Sequence, residues 1–229
     1  MKHVLVAGAG SGIGRSLLEK LNSNTEIFAN GISRRGDAFS AKQKIERGLN
    51  YFCDLKFEKS IDSFSEFYQS GVERLDALYI CAGDGLFKPI SEISSSEWDD
   101  HFLLNVKANF LLLKNLSPIL KKTDRPFVCF LSSTAARQGF RDSTAYCASK
   151  HAVIGFARAL REEWKPDKIR IFTVFLGAVN TGIWDKRPEF DKNDMIDTEK
   201  LSLYLEGFLF LDKSINIDES YLLPLRGVL

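Results

Sequence analysis

The chain lacks a strong charge of one sign and any apolar run long enough to cross a membrane. Its 31 Lys and Arg residues balance 30 Asp and Glu residues, leaving a formal net charge of +1. A nucleic-acid-binding surface is strongly basic, because it must neutralise phosphates. No stretch approaches the roughly 18 apolar residues of a membrane span, and no signal-peptide pattern follows Met1. We therefore expect a cytoplasmic protein with no nucleic-acid or membrane partner.

Cysteine is scarce, and its spacing is uninformative. The four cysteines, Cys53, Cys81, Cys129 and Cys147, form no CxxC pair, and no cluster of Cys and His has zinc spacing. Structural zinc sites use these residues at short, regular intervals, so we expect no metal site. Three of the cysteines lie in or beside apolar runs, which is typical of small buried side chains in a reducing compartment.

The chain also lacks a Pro-, Gly- or Ser-rich linker, a low-complexity segment and an internal repeat. Its composition, 45% hydrophobic and 27% charged, is ordinary for a globular protein. We therefore expect residues 1–229 to form a single domain.

Short β-rich runs alternate regularly with longer helical patterns. Several runs are continuously apolar, which is typical of parallel strands covered on both faces. The alternation predicts an α/β fold: a single Rossmann-like, doubly wound parallel sheet of about seven strands with helices on both faces. Pro118 and Pro166 are predicted to mark the ends of two helices. The predicted strands are 3–7, 26–32, 49–53, 75–81, 127–132, 169–176 and 215–223, and the predicted helices are 13–21, 61–68, 97–116, 145–164 and 198–210.

A glycine-rich loop joins the first predicted strand to the first helix. It has the pattern GxxxGxG and not GxGxxG, since Ile13 occupies the third glycine position. Glycine lets the backbone approach a phosphate, and the helix that follows presents unpaired N–H groups and a positive dipole end. The loop lacks the Gly-Lys-Ser/Thr ending of a nucleoside-triphosphate site. We predict that it binds the pyrophosphate of a dinucleotide, a purely structural turn being the alternative. The predicted contacts are Gly8, Ser11, Gly12, Ile13 and Gly14.

The end of the second strand indicates which dinucleotide binds. An acidic residue here would accept a hydrogen bond from the ribose 2′-OH of NAD, but Ser33 occupies the position and Arg34 and Arg35 follow. A neutral residue beside guanidinium groups suits a 2′-phosphate. We therefore expect NADP(H), with NAD(H) as the alternative if both arginines are only solvated. Asp54, next to Leu55, is a candidate acceptor for the adenine amino group, and a helix N-cap is an equal alternative.

Tyr146 and Lys150 lie four residues apart, and Ser133 precedes Tyr146 by thirteen residues. Residues four apart share a helix face, so the phenol and the ammonium are expected to be neighbours. A tyrosine is a poor general base at neutral pH because its ordinary pKa is about 10, and a fixed cation favours the phenolate. With the dinucleotide loop, this pair predicts hydride chemistry on a nicotinamide. Singly, each residue is also compatible with a packing, surface or turn role.

From residue 3 to about residue 181, the chain resembles the short-chain dehydrogenase/reductase family. Ala82 and Gly83 match the family's Asn-Asn-Ala-Gly segment, in which Cys81 replaces the second asparagine. Asn105 matches the asparagine of the following helix, and 176–181 (LGAVNT) matches Pro-Gly-x-x-x-Thr with leucine in place of proline. The cofactor contacts that this part of the resemblance adds are Ala82, Gly83, Gly177, Val179 and Thr181.

The resemblance implies an oxidoreductase that acts on a carbonyl or alcohol substrate through four catalytic residues. Tyr146 would be the acid/base, and Ser133 would hold the substrate oxygen. Lys150 would favour the phenolate and hydrogen-bond the nicotinamide ribose. Asn105 would position a water that links Lys150 to solvent, so that Asn105, Tyr146 and Lys150 also lie at the cofactor. Ser132 is the alternative to Ser133 as the residue that holds the substrate oxygen. His151 and Cys147 are expected to have no catalytic role.

The resemblance also implies a flexible lid over the substrate at 182–199. It contains Trp184, Phe190 and Met195, and its aromatic residues would cover an apolar substrate, with ordinary loop packing as the alternative. Leu86, Phe87 and Pro89 would line the opposite side.

We expect a homodimer through the two long helices 97–116 and 145–164. Both helices are rich in aromatic and aliphatic residues, including Phe102, Phe110, Phe156 and Trp164, and the alternative is that these residues form only the core. A tetramer is left open, because 215–224 lacks the glycine signature of many family members. The alternative function is a non-catalytic NAD(P)-binding regulator or redox sensor on the same fold. An epimerase or dehydratase is disfavoured by the short chain.

Overall fold

One parallel sheet of seven strands organises the computed structural model, which describes residues 1–40, 42–185, 187, 189–212 and 214–227. The strand order is β3-β2-β1-β4-β5-β6-β7, and every neighbouring pair is parallel. The order therefore reverses direction between β1 and β4, which is where such sheets bind ligands. The strands are β1 (Lys2–Ala7), β2 (Ile27–Ser33), β3 (Asn50–Phe52), β4 (Ala77–Ile80), β5 (Phe127–Ser133), β6 (Arg170–Leu176) and β7 (Glu219–Leu222).

Helices cover both faces of the sheet, as predicted. Alternate residues of β1 point to opposite faces: Val4 and Val6 pack with α1 and α6, whereas Leu5 and Ala7 pack with α2, α4 and α5. Both sets are fully buried, which explains why the strand is continuously apolar. The helices are α1 (Gly12–Ser23), α2 (Glu58–Gly71), α3 (Ser95–Phe102), α4 (Ala108–Lys122), α5 (Thr144–Glu163) and α6 (Thr198–Gly207).

The last strand is shorter than predicted, because polar side chains form local turns before it. β7 pairs only from Glu219, and not over 215–223. The Asp212 carboxylate accepts from the Ser214 N–H at 2.8 Å, and the Asn216 amide donates to Asp218 at 2.5 Å. These bonds compete with a strand ladder.

Pro118 does not end a helix, contrary to the prediction, since α4 continues to Lys122. Proline has no N–H, so the carbonyl of Lys114 loses its usual helical partner. The Ser117 hydroxyl donates to that carbonyl at 3.0 Å and replaces the missing bond. Pro166 does follow the end of α5, as predicted.

The predicted helix 97–116 is interrupted by a turn of π-helix at Leu103–Lys107. It begins with a capping box, in which Ser94 and Glu97 each bind the other's backbone N–H. The π-turn contains Asn105, and such turns occur often at functional sites. No helix in the described part of the chain is long and apolar enough to span a membrane.

Candidate active site

A cavity of about 950 Å³ lies at the carboxyl ends of the strands, where the sheet order reverses. The loops after β1 to β6 line it, so residues distant in sequence meet there. No group of three or more His, Cys, Asp or Glu side chains suited to a metal ion occurs among the described residues. Every predicted site residue except Asn105 lines the cavity: Gly8, Ser11, Gly12, Ile13, Gly14, Ser33, Arg34, Arg35, Asp54, Leu55, Ala82, Gly83, Ser133, Tyr146, Lys150, Gly177, Val179 and Thr181.

Two glycines of the loop, Gly8 and Gly14, pack too closely against backbone to be replaced by a residue with a side chain. Gly8 has a φ of +92°, and a Cβ there would lie 2.6 Å from the Ala82 nitrogen. A Cβ on Gly14 would lie 2.3 Å from the Gly8 carbonyl oxygen. Ser11 precedes α1 without capping it through its side chain, so its hydroxyl leaves the first-turn N–H groups unpaired. A bare backbone before an uncapped helix start is suited to a phosphate.

The end of β2 carries a serine whose oxygen accepts two hydrogen bonds, followed by two exposed arginines. Ser33 Oγ accepts from the Arg35 N–H at 3.1 Å and from the Asn50 amide at 2.8 Å. Arg34 and Arg35 are exposed at the cavity rim, and Arg35 Nη1 lies 3.4 Å from the Gly10 carbonyl oxygen. The rim beside the glycine loop is therefore cationic. Sequence reasoning missed Asn50, because no motif marks the start of a third strand.

Asp54 is not a helix N-cap, so that alternative is wrong. α2 begins at Glu58 with Phe57 as its N-cap. The Asp54 carboxylate instead accepts from the Lys56 N–H at 3.0 Å, while Asp54 and Leu55 line the cavity wall.

Tyr146 and Lys150 share one face of α5, as predicted. Lys150 Nζ lies 5.6 Å from the centre of the Tyr146 ring. Lys150 is only 8% exposed, yet no described carboxylate lies within 4.0 Å of its ammonium. Buried lysines are normally paired, because an isolated charge is costly to desolvate. A cation of this kind that lines a cavity points to a polar ligand there.

Ser133 and Ser132 both line the cavity at the end of β5. Ser133 Oγ accepts from the Ala135 N–H at 3.1 Å, which orients the hydroxyl and leaves its proton available to a ligand. Ser132 is 4% exposed, and its Oγ has no partner among the described residues.

Asn105 stands behind the cavity wall and holds the loop after β4. Its Oδ1 accepts from the Asp84 N–H at 2.9 Å, and its Nδ2 donates to the Asp84 carbonyl at 3.0 Å. Gly83 lies between these Asn105 hydrogen bonds and α5: a Cβ there would be 3.4 Å from Asn105 Oδ1 and 3.5 Å from Lys150 Nζ. Asn105, the loop and Lys150 therefore meet at one point.

Sequence reasoning missed His101, a buried residue on α3. Its Nε2 lies 3.0 Å from Asn105 Nδ2 and 3.1 Å from Ser149 Oγ. The available signal was its position four residues before Asn105, which predicts one shared helix face. His151, by contrast, is exposed, and its Nδ1 lies 2.9 Å from the Cys147 carbonyl.

The cysteines near the site are poor nucleophiles. Burial raises the pKa of the Cys53 thiol to about 12 and also raises the pKa of Cys81. Since the thiolate is the reactive form, both are expected to stay inert at neutral pH.

Aromatic rings and one arginine form the outer wall beside Tyr146. The Phe87 ring lies 5.1 Å from the Tyr146 ring, centre to centre. The Arg187 guanidinium lies 5.4 Å from Phe87, 5.8 Å from Trp184 and 4.7 Å from Phe190. The loop after β4 and the predicted lid thus touch through a cation–π cluster.

Several residues expected in this wall do not line the cavity. Leu86, Pro89 and Met195 are absent from its lining. Met195 is buried, so ordinary loop packing accounts for its apolar side chain. Lys186 and Pro188 of the predicted lid lie outside the described residues.

Comparison with known proteins places most of the chain in one family. The family model described as short chain dehydrogenase matches residues 2–192. The short-chain dehydrogenase/reductase olcF of Penicillium canescens is 30% identical over 86% of this chain and 77% of its own. Sepiapterin reductase of Chlorobaculum tepidum is 25% identical over 100% of this chain and 93% of its own.

Solved structures share the fold. An alcohol dehydrogenase from the archaeon Thermococcus sibiricus, complexed with 5-hydroxy-NADP, superposes with a TM-score of 0.86. The match covers 98% of this chain and 97% of that one at 22% identity, so it shows the fold alone.

Proposed function

Because the chain belongs to the short-chain dehydrogenase/reductase family, we propose that it interconverts a carbonyl and an alcohol with NADP(H), using Tyr146 as acid/base. Family membership itself makes the protein an NAD(P)-binding oxidoreductase for a small-molecule substrate. The Tyr146–Lys150 pair supports the proposed acid/base chemistry, because both residues line the same cavity as the glycine loop.

The residues of this cavity fit a dinucleotide. The bare loop at Gly8, Gly12 and Gly14 would hold the pyrophosphate, and the buried Lys150 would find its missing partners in ribose hydroxyls. Asp54 would accept from the adenine amino group. The nicotinamide supplies or accepts the hydride, and the protein supplies orientation and electrostatics.

The protein's own residues handle the proton. The Tyr146 hydroxyl would protonate the carbonyl oxygen during reduction and, as phenolate, accept the proton during oxidation. The Lys150 ammonium, 5.6 Å from the centre of the Tyr146 ring, would stabilise the negative charge that develops on the phenol oxygen during this transfer. Ser133 would donate its free proton to the substrate oxygen and hold it near Tyr146. Asn105 would hold the loop after β4 and a water that passes protons from Lys150 to solvent.

The preference for NADP(H) rests on charge. Ser33 is neutral, and its Oγ already accepts from the Arg35 N–H and the Asn50 amide, so it is a poor acceptor for a ribose 2′-OH. Arg34 and Arg35 supply positive charge at the rim, where a 2′-phosphate would lie. The 5-hydroxy-NADP bound to the Thermococcus enzyme is in keeping with this preference.

Replacing Arg34 by Ala should weaken NADPH binding roughly tenfold to hundredfold and leave NADH binding nearly unchanged. A charge-assisted hydrogen bond to a phosphate is worth about 1.5–3 kcal/mol, and NADH has no 2′-phosphate. Titration of each reduced cofactor by fluorescence measures both dissociation constants. Arg158→Ala is the control, because Arg158 is exposed, pairs with Glu219 and lies outside the cavity. Equal losses for the two cofactors would remove the 2′-phosphate assignment.

We also propose that the substrate is apolar around its carbonyl, because Phe87, Trp184 and Phe190 flank the space beside Tyr146. The segment 182–199 stays our proposed lid over this substrate. Trp184→Ala should raise KM for an aromatic ketone about tenfold through lost apolar contact. KM for a small aliphatic aldehyde should change little. Steady-state kinetics on both substrates tests this, with Trp98→Ala as the control outside the cavity. The same change in KM for both substrates contradicts the assignment.

A homodimer remains our proposal for the assembly, with a tetramer as the alternative. Phe110 on α4 is 47% exposed and is suited to a contact surface. Trp164 is 5% exposed and packs in the core, so it is not part of such a surface.

The decisive experiment is a panel of carbonyl substrates assayed with NADPH and NADH through the absorbance of the reduced nicotinamide. Turnover with NADPH supports the proposal. Tight NADPH binding without turnover of any substrate would favour the non-catalytic regulator instead. The presence of Ser133, Tyr146 and Lys150 at one cavity favours the enzyme.

A further inference from the structure

A buried histidine connects the catalytic helix to the asparagine behind the cavity. His101 is 6% exposed and lies at the end of α3, one turn before Asn105. Its Nε2 is 3.1 Å from Ser149 Oγ, and Ser149 directly precedes Lys150 on α5. Its ring centre lies 6.2 Å from that of Tyr146. One imidazole therefore touches both elements that hold the proposed catalytic groups.

The hydrogen bonds around Asn105 determine the protonation of this imidazole. The Asp84 N–H needs an acceptor, so Asn105 must direct Oδ1 toward it and Nδ2 toward His101. One Nδ2 proton goes to the Asp84 carbonyl at 3.0 Å. The other faces His101 Nε2 at 3.0 Å and Ser149 Oγ at 3.1 Å. The Ser149 proton is used on the Tyr146 carbonyl at 2.8 Å. An unprotonated Nε2 accepts this second proton, whereas an Nε2–H could donate only to Ser149 Oγ and would face the amide protons of Asn105 at 3.0 Å. We therefore assign Nε2 as the accepting nitrogen.

The surrounding charges act on His101 in both directions. Burial, the largest effect, lowers the pKa of His101 below the ordinary histidine value of 6.5. The charge of Asp84 on the loop after β4 raises it, whereas Lys150 on α5 and Lys56 before α2 lower it. The neutral ring that the hydrogen bonds require is therefore also the form present at neutral pH.

We propose that neutral His101 is a positioning residue that accepts a hydrogen bond from Asn105 at Nε2 and thereby holds Asn105 against the loop after β4. The inference rests on the proposed function, since its purpose is to fix the wall beside Lys150. Without this acceptor, the second Nδ2 proton has one acceptor instead of two, Ser149 Oγ at 3.1 Å, and the amide is held less firmly. The amide can then rotate, and the clamp on Asp84 loosens.

Protonation should have the same effect as removing the ring. An Nε2–H would point at the amide protons of Asn105, so donor would face donor. Because burial lowers the pKa of His101, this happens only as the pH falls below the ordinary histidine range. The wild-type kcat should therefore decline at acid pH in a limb that belongs to His101.

Two substitutions separate positioning from packing. His101→Leu removes the acceptor and should lower kcat about tenfold, the rate equivalent of one lost hydrogen bond, with KM for substrate nearly unchanged. His101→Gln keeps an oxygen acceptor that does not titrate. It should restore kcat at neutral pH and remove the acid limb. His151→Gln is the matched control, an exposed histidine one residue after Lys150.

Nitrogen NMR of the cofactor-free protein reads the proton on the ring without any turnover. The expected result at pH 7 is a neutral His101 that carries its proton on Nδ1. A proton on Nε2 at pH 7 overturns the proposal, whether or not the protein is an enzyme. So does a His101→Leu protein with wild-type kcat and an unchanged pH profile. If no substrate is turned over but Nε2 is bare, the hydrogen-bond assignment stands and the proposed function alone has failed.

Discussion

Tyr146→Phe should lower kcat about a thousandfold while the dissociation constant for NADPH stays within about twofold of wild type. The substitution removes only the hydroxyl that would exchange a proton with the substrate. The ring stays and keeps its contacts with Phe87 at 5.1 Å and with the Lys150 ammonium at 5.6 Å. Steady-state kinetics and a fluorescence titration of NADPH measure the two quantities.

A second tyrosine provides the control for this experiment. Tyr204 is 40% exposed on α6 and lies outside the cavity, so Tyr204→Phe should leave kcat unchanged. If Tyr146→Phe keeps kcat within about tenfold of wild type, Tyr146 is not the proton donor. A large loss of NADPH affinity would show instead that the hydroxyl serves mainly in cofactor binding.

The architecture was predictable because it depends on patterns that the sequence carries locally. A strand segment buried on both faces must be apolar at every position, and 4–7 in β1 and 127–131 in β5 show this pattern. Six of the seven predicted strands agree with the observed ones within two residues at either end. The parallel arrangement follows because each crossover helix returns the chain to the same edge of the sheet.

The errors occur where side chains override the backbone preference. Pro118 is predicted to end a helix, but the Ser117 hydroxyl supplies the lost partner of the Lys114 carbonyl. The last strand is predicted too long, because nothing in its apolar residues reveals that Asn216 will bond to Asp218. Both effects depend on single polar contacts, and the spacing of apolar residues carries no information about such contacts.

The site was predictable as far as its residues belong to motifs. The strand-end rule places the glycine loop, Ser133 and Tyr146 around one cavity, and the structure brings them together there. Asn50 and His101 belong to no motif. Asn50 contacts Ser33 from 17 residues away in the sequence. His101 contacts Asn105 from four residues away, across the start of the π-turn. Only coordinates reveal that these polar groups complete each other's hydrogen bonds.

Lys150→Met should lower kcat/KM about a thousandfold and yet raise the melting temperature of the cofactor-free protein by about 2–4 °C. Lys150 as a residue is only 8% exposed, and its ammonium has no described carboxylate within 4.0 Å. An apolar side chain of similar length removes the cost of burying it, about 1 kcal/mol. Thermal unfolding with and without NADPH, together with steady-state kinetics, measures both effects.

Because activity should fall while the melting temperature rises, Lys150→Met tests whether the lysine serves function or stability. Lys121→Met is the control, because Lys121 is exposed and pairs with Asp167 at 2.9 Å, so its loss should not stabilise the protein. NADPH should raise the melting temperature of Lys150→Met less than that of wild type, since the cofactor loses a partner. If Lys150→Met is less stable than wild type and still active, Lys150 serves packing. A gain in stability with lost turnover instead means that the buried charge is kept, at a cost to the stability of the fold, because it binds a ligand in the cavity.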